Sequence, residues 1–397
     1  MLRLVFSAIA FLGLQVLLYY YLWRRLAVTT QLSPRWRRRI AWALGSLGVM
    51  TISTLLISRL ASPTIGQTLG WPAFIWMAML LLMATMFAAT DVVRGLIKGS
   101  GKLKPKPREA APPDPARRAF VGRVLGGGVV ASTVSLTGAG TVSALKTPGV
   151  KDVKISLKNF PESLNGFAIV QLTDIHVGNT IGRGFIEDVV ERANAADPDL
   201  IVITGDLVDG SVADLADAVA PLADLHAPHG VFFVTGNHEY YAGADAWIKH
   251  IESLGIRVLR NERVAIGSEE DSFDLVGVDD YNAGRWDGHG PDLAKAVAGR
   301  DTKREVVVLA HQPRQVHESV KHGVGLQLSG HTHGGQIWPW HYLAMAQQGG
   351  LLAGHSRHGD TQLYISRGTG YWGPPVRVFA PSEIARITLR RTQSRSS

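Results

Sequence analysis

The chain has 397 residues, 46% of them hydrophobic, with a formal net charge of +8 and no cysteine. That length suits about two ordinary domains, and the missing cysteine excludes both a disulfide framework and a thiolate metal site. Residues 1–150 hold 18 Lys and Arg against 3 Asp and Glu, while the remainder holds 23 against 30, so the excess marks basic segments of the front half and indicates no nucleic-acid partner.

Apolar segments come first. A membrane-crossing helix needs about 20 such residues, and spans are expected at Leu4–Trp23, Ile40–Ser58 and Trp71–Thr90. A fourth, Val124–Leu145, is uncharged but rich in Gly, Ser and Thr. It reads either as a further span, whose small residues suit helix packing, or as a linker. Basic residues fill the loops 24–39 and 94–123, whereas the connector Leu60–Gly70 carries no charge. Both basic loops are therefore expected in the cytoplasm. Four spans would put the chain beyond residue 150 outside the cytoplasm, and three would leave it inside. Gly99–Pro115, with five prolines, reads as a flexible linker. Arg117-Arg118-Ala119-Phe120 resembles a twin-arginine export signal only loosely and also reads as a cytoplasmic anchor. The expected organisation is a transmembrane region over 1–150, a second domain over 151–390 and a polar tail over 391–397.

Beyond residue 150 the pattern becomes strand, loop, helix. Strands are predicted at Val153–Leu157, Phe167–Leu172, Leu200–Ile203, Val231–Val234, Arg257–Leu259, Phe273–Val278, Val306–Leu309, Leu326–Leu328, Gln362–Ser366 and Ile384–Leu389. Helices are predicted at Gly184–Ala196, Val212–Leu225, Ala244–Leu254, Pro291–Ala298 and Arg314–Lys321. This alternation predicts an α/β fold with two facing sheets. Five of the strands run into polar motifs: Asp174-Ile175-His176, Gly205-Asp206, Gly236-Asn237-His238-Glu239, His311, and Gly330-His331-Thr332-His333. Loops at strand ends gather such residues along one sheet edge.

The donors are hard oxygen and imidazole, the set that divalent ions bridging a phosphate require. Asp206 is the natural bridge, because a carboxylate offers two oxygens and a charge. Asp174, His176 and His333 can complete one ion, and Asn237, His311 and His331 the other. His331 and His333 either grip one ion together or, if the chain turns at Gly330 and Gly334, serve neighbouring ions. His238 suits protonation of a leaving alkoxide or stabilisation of phosphoryl charge, with metal hydroxide as the expected nucleophile. Mn, Fe, Zn, Ni and Co all accept this donor set. Read singly, each motif has an ordinary structural account, such as a helix entry capped by Asn237.

Together the five motifs resemble the calcineurin-like metallophosphoesterase superfamily, whose pattern is D-x-H, G-D, G-N-H-[DE], a lone H, then G-H-x-H. Gly330–Gln336, Ser366–Gly370 and Ala380–Glu383 resemble its bacterial membrane-associated branch. The resemblance covers roughly residues 150–389. It implies two facing mixed β-sheets sandwiched by helices, preceded here by three to four transmembrane helices. It also implies the ligand set above, two divalent metal ions and general-acid catalysis by His238.

After the motifs comes an apolar loop with Ile337, Trp338, Trp340, Tyr342, Leu343, Met345, Leu351 and Leu352, followed by Tyr371 and Trp372. It reads as a loop packed on its own core, or as a lid for an apolar substrate at a bilayer interface. Trp338, Trp340, His355 and His358 are the candidate substrate contacts. His226, His229, His250, His289, His317, His322 and His341 read as surface, turn or supporting residues. The expectation is a membrane-anchored phosphoesterase acting on a phosphomonoester or phosphodiester, with a lipid or envelope substrate, its catalytic domain outside a bacterial inner membrane. A nucleotide-diphosphate-sugar lipid pyrophosphatase is the alternative within the class. A non-catalytic binding or sensory module on the same fold is the alternative outside it.

Overall fold

The computed structural model describes residues 2–57, 63–101 and 114–392. Part of the connector expected at 60–70, most of the linker expected at 99–115 and most of the tail expected at 391–397 lie outside those residues. The chain divides into two units, Met1–Gly140 and Thr141–Ser397.

The first unit is helical: α1 (Leu2–Trp23), α2 (Pro34–Ile57), α3 (Pro63–Gly101) and most of α4 (Pro115–Leu145). Leu22, Leu44, Leu80, Met83, Phe87 and Val129 pack together inside it. Leu17, Trp42, Val49, Ile97 and Val134 point outward, an apolar exterior of the kind that lipid rather than water tolerates. Among the described residues, Gly70–Ser100 and Pro115–Leu145 are long and apolar enough to cross a membrane. The segment that reads as either span or linker is thus a continuous helix. The expected spans 4–23 and 40–58 are helical too, but their side chains are described only from residue 12 in α1 and up to residue 54 in α2.

The second unit is built from two six-stranded mixed sheets. Its strands are β1 (Gly149–Leu157), β2 (Ala168–Leu172), β3 (Leu200–Thr204), β4 (Val231–Val234), β5 (Arg257–Val258), β6 (Glu262–Gly267), β7 (Ser272–Gly277), β8 (Val306–Leu309), β9 (Leu326–Ser329), β10 (Gly354–His358), β11 (Thr361–Ile365) and β12 (Glu383–Arg391). Sheet order is β1-β12-β2-β3-β4-β5 in one and β10-β11-β9-β8-β7-β6 in the other. The helices are α5 (Arg183–Ala195), α6 (Val212–Val219), α7 (Asn237–Ala242), α8 (Ala244–Ser253), α9 (Leu293–Val297), α10 (Val316–Lys321) and α11 (His341–Gln347).

Continuous apolar runs form strands buried on both faces. In β3, Leu200 and Val202 point into the core between the sheets while Ile201 and Ile203 point to the helix layer. In β8, Val307 and Leu309 face the other sheet, and Val306 and Val308 face outward under α9. Phe160, Phe167 and Phe273 stack at the centre, with centroids 5.4 and 5.5 Å apart. β2, β3 and β4 run parallel, as do β7, β8, β9 and β11. Their C-terminal ends therefore bring the polar loops to a shared edge. The helix predicted over Val212–Leu225 is shorter: α6 stops at Val219 and continues as a 3₁₀ turn over Ala220–Asp224, since Pro221 removes an amide donor.

Candidate metal centre

Five of the seven proposed ligands leave their strands on a sharply turned backbone, Asn237 and His311 being the exceptions. Asp174, His176, Asp206, His331 and His333 all have φ between +51° and +71°. Non-glycine residues enter this left-handed region rarely and at a cost, and such residues cluster at functional sites. The tight turns aim successive side chains inward.

Two glycines of the motifs are there for space. A Cβ on Gly236 would collide with the Asp206 carboxylate, and one on Gly330 with the Asp174 carboxylate and Thr173. Gly236 is also the N-cap of α7, with Asn237 as its first residue. The helix entry expected as the ordinary account of this motif thus exists, but Asn237 is not its cap. Glu239 closes it instead, accepting from the amides of Gly236 at 2.6 Å, Leu207 at 2.7 Å and Asp206 at 3.0 Å. Burial and the Asp206 charge push Glu239 up to about 7, against the Gly236 amide, the His311 ring and the Leu207 amide, which favour its ionised form.

The side chains gather into two clusters. Asp174, His176 and His333 form one, and Asp206, His311 and His331 the other; His176, Asp206 and His238 make a third grouping that links them. His331 and His333 thus serve neighbouring clusters, the turned-backbone alternative. Asp206 Oδ2 lies 3.0 Å from His311 Nε2, 3.8 Å from His176 Nε2 and 4.0 Å from His238 Nε2.

The hydrogen bonds show where lone pairs point. His311 Nδ1 donates to the Thr204 carbonyl at 2.8 Å, leaving Nε2 facing His331 Nδ1 at 3.1 Å as well as Asp206. His176 Nδ1 donates to Asp209 Oδ1 at 2.9 Å, so its Nε2 meets His333 Nε2 at 3.1 Å. Protons can fill these gaps in the metal-free protein, since His333 Nδ1 accepts from Arg377 at 3.4 Å and so keeps its proton on Nε2, and a cation bound there would displace them. Asn237 Oδ1 is buried with no hydrogen-bond partner, and a buried acceptor left unpaired is costly. These residues fit divalent cations, with the imidazoles and Asn237 as neutral donors and Asp174 and Asp206 as charged ones.

Electrostatics agree with that donor set at His331 and His333. At His311, by contrast, the Asp206 carboxylate overcomes burial and raises the ring well above its usual value, a proton that a bound cation would displace. Burial and then the neighbouring His311 hold His331 down at about 3, while burial and His176 hold His333 well below its usual value. Both rings stay neutral and available. Burial also opposes charge on Asp206, but His311 and His238 outweigh it and keep the carboxyl ionised. Burial raises Asp174, with His311 pulling the other way. For His238, the Asp206 and Asp209 carboxylates overcome burial and push it up to about 9. The amide of His238 donates to Asp206 Oδ1 at 2.8 Å, and its Nδ1 to Asp209 Oδ1 at 2.6 Å.

Several residues here carry no clear mark in the sequence. Asp209 accepts from both His176 and His238 through one oxygen. Its only sequence signal is a second aspartate three positions after Asp206. Arg377 is fully buried and donates to the carbonyls of His333, Arg367, Gly370 and Ala380, and nothing near it in sequence marks that role. The ring of Tyr241 lies 5.4 Å and that of Trp372 5.7 Å from His238. Trp338 and Trp340 are half-exposed beyond His333. His355 and His358 sit on β10, an edge strand, bonded to Gln362 and Ser356 and outside the clusters.

An α/β sandwich with such a His, Asp and Asn edge defines a metal-dependent phosphoesterase, and residues 167–335 match the family described as calcineurin-like phosphoesterase. The chain belongs to this metallophosphoesterase family and is a hydrolase of phosphoric ester bonds. It is 38% identical over 277 residues to a metallophosphoesterase of Helicobacter pylori, covering 69% of this chain and 73% of that one. It is 38% identical over 267 residues to a transmembrane protein with metallophosphoesterase domain from Danio rerio, covering 65% of this chain and 61% of the relative. The metallophosphoesterase YkuE of Bacillus subtilis is 29% identical over 286 residues, or 70% of this chain and 98% of YkuE. The likeness to YkuE agrees with the membrane-associated branch expected from the motifs.

Proposed function

We propose that the chain is a membrane-anchored phosphoesterase with a two-ion centre bridged by Asp206. In this reading Asp174, His176 and His333 hold one cation, and Asn237, His311 and His331 the other. The carrying observation is that two clusters of buried His and Asp donor atoms meet at one buried carboxylate, with Asn237 Oδ1 unpartnered beside them. Bound cations supply Lewis acidity toward the phosphoryl oxygens and acidify water.

The chain's own groups do the rest. His238, protonated at neutral pH and open on one side, donates from Nε2 to the leaving oxygen. Asp209 fixes the tautomer and orientation of both His176 and His238, the supporting carboxylate arrangement common behind metal-bound imidazole. Glu239 holds the turns carrying Asp206 and Asn237 in register. Trp338 and Trp340 are proposed contacts for the organic part of the ester.

Two helices apolar enough to cross a membrane and the membrane-protein relative support anchoring. The basic loop before Pro115 supports a catalytic domain on the side away from the cytoplasm. Full-length protein in detergent with Mn²⁺ is expected to hydrolyse bis(p-nitrophenyl) phosphate or p-nitrophenyl phosphate. Asp206→Asn should lose both metal and turnover. His238→Ala should keep metal and lose rate on the order of 10²–10⁴-fold. A metal-replete His238→Ala variant with normal turnover refutes the assignment.

A further inference from the structure

The rim of the candidate centre carries a patch that hydrolysis alone does not require. Trp338, Trp340, Tyr342, Leu343, Trp372 and Phe379 are between 39% and 78% exposed. They sit on two loops locked to each other. Gln336 Nε2 donates to the carbonyls of Trp372 and Pro374, and its Oε1 accepts from the Trp372 amide. Ile337 bridges Val378, which brings the Trp338 and Phe379 rings edge to face at 6.3 Å. Both loops belong to the site, the first because it continues from His333 and the second because Trp372 packs on His238. A cleft of about 210 Å³ opens between Trp338 and Phe379, with Arg367 in its wall. Clustered exposed apolar side chains on one face mark an interaction surface, and Trp and Tyr are the residues favoured at lipid headgroups.

The path by which the chain enters this domain identifies the occupant. Leu145 ends α4, a helix long and apolar enough to cross a membrane, and β1 begins four residues later at Gly149. Four residues span at most about 14 Å. Ala144 is buried in the same core as Leu172, Ile175 and Ile384, and Thr147 donates to Asp188 at 3.1 Å. Gly149 pairs with Glu383, whose amide donates to the Gly368 carbonyl at 3.0 Å. Gly368 in turn lies against Asp174 and His333. The membrane-side chain therefore joins the domain at the metal edge, on the loop that bears Trp372 and Phe379.

We propose that this aromatic rim is a lipid-docking surface that seats the metal edge in the headgroup zone of a bilayer and presents it with phosphoesters borne by lipids. The substrate half of the inference rests on the phosphoesterase reading; the docking half does not.

The chain lacks cysteine, so single labelling sites are clean. Full-length Leu343→Cys carries an NBD label in vesicles of phosphatidylethanolamine and phosphatidylglycerol that contain a doxyl-labelled lipid. Asp360→Cys, at the exposed hairpin before β11 and away from the metal edge, is the control. Docking requires quenching several-fold stronger at 343 than at 360, and its loss when Trp338→Glu and Phe379→Glu are combined. Equal quenching at both positions overturns it. So does a blue-shifted but unquenched label at 343, because a second copy of the chain would then cover the patch. Hydrolysis of bis(p-nitrophenyl) phosphate with Mn²⁺ is read on the same vesicles. Hydrolysis without quenching removes docking and leaves the enzyme reading intact, whereas quenching without hydrolysis removes the enzyme reading and leaves the surface.

Discussion

Asp209 joins the two functions of the site, since one of its oxygens accepts from the ring of a proposed ligand and from that of the proposed general acid. His238 is pushed up to about 9 by Asp206 and Asp209 against the effect of burial. The proton that His238 donates is therefore lost as pH rises through its folded value, which is about 9 without metal and is lowered by cations bound at Asp206. Asp209→Asn removes one of the two stabilising charges, so the basic limb of the rate profile should move to lower pH. Metal affinity should also fall, by on the order of 10–100-fold, as His176 loses its supporting carboxylate. kcat measured across pH at saturating Mn²⁺, with a separate Mn²⁺ titration, reads both effects; an unmoved basic limb would break the link to His238. The ligand-type residues themselves were legible because each ends an apolar strand. Asp209 was not, because an aspartate in a Gly-flanked turn has an ordinary local reading.

The supporting elements show the same division between local and distant signals. Strands β2, β3, β4, β8 and β9 could be read from the chain because all their residues are apolar or buried. β6 and β10 were not predicted. They are edge strands paired antiparallel on one side only; β10 has no apolar side chain, and β6 turns only Val264 and Ile266 to the core, too short an alternation to mark it. α11 lies inside a stretch that reads as a loop, and its residues are only partly buried. Arg377 is the distant case. Its guanidinium is fully buried, burial holds it down at about 10, and it ties the loop 366–382 to the His333 turn through four carbonyls. A buried acceptor left without its donor typically costs about 1–3 kcal/mol, and Arg377→Ala leaves several such carbonyls, so it should destabilise the protein by at least that much. It should also weaken metal binding through His333. Urea denaturation of the metal-free protein isolates the first effect, and a variant within the error of the parent would show that the loop holds without the clamp.

On the scale of the whole protein, the candidate centre joins the two sheets, because its proposed ligands come from the ends of β2, β3 and β4 in one and β8 and β9 in the other. Cations that bind only the folded arrangement therefore stabilise the entire second unit, not a single loop. At a free metal concentration a hundred times Kd the gain is about 2.7 kcal/mol. For a domain of this size, about 2–4 °C per kcal/mol makes that a Tm rise of roughly 5–10 °C. Chelation of the full-length protein in detergent should reverse the rise, and readdition of Mn²⁺ should restore it. Asp206→Asn should abolish the metal-dependent rise. His238→Ala should retain it, since in this assignment His238 donates a proton and holds no ion. A rise lost equally in both variants would make His238 a ligand, and the general acid would then have to be sought elsewhere on the rim.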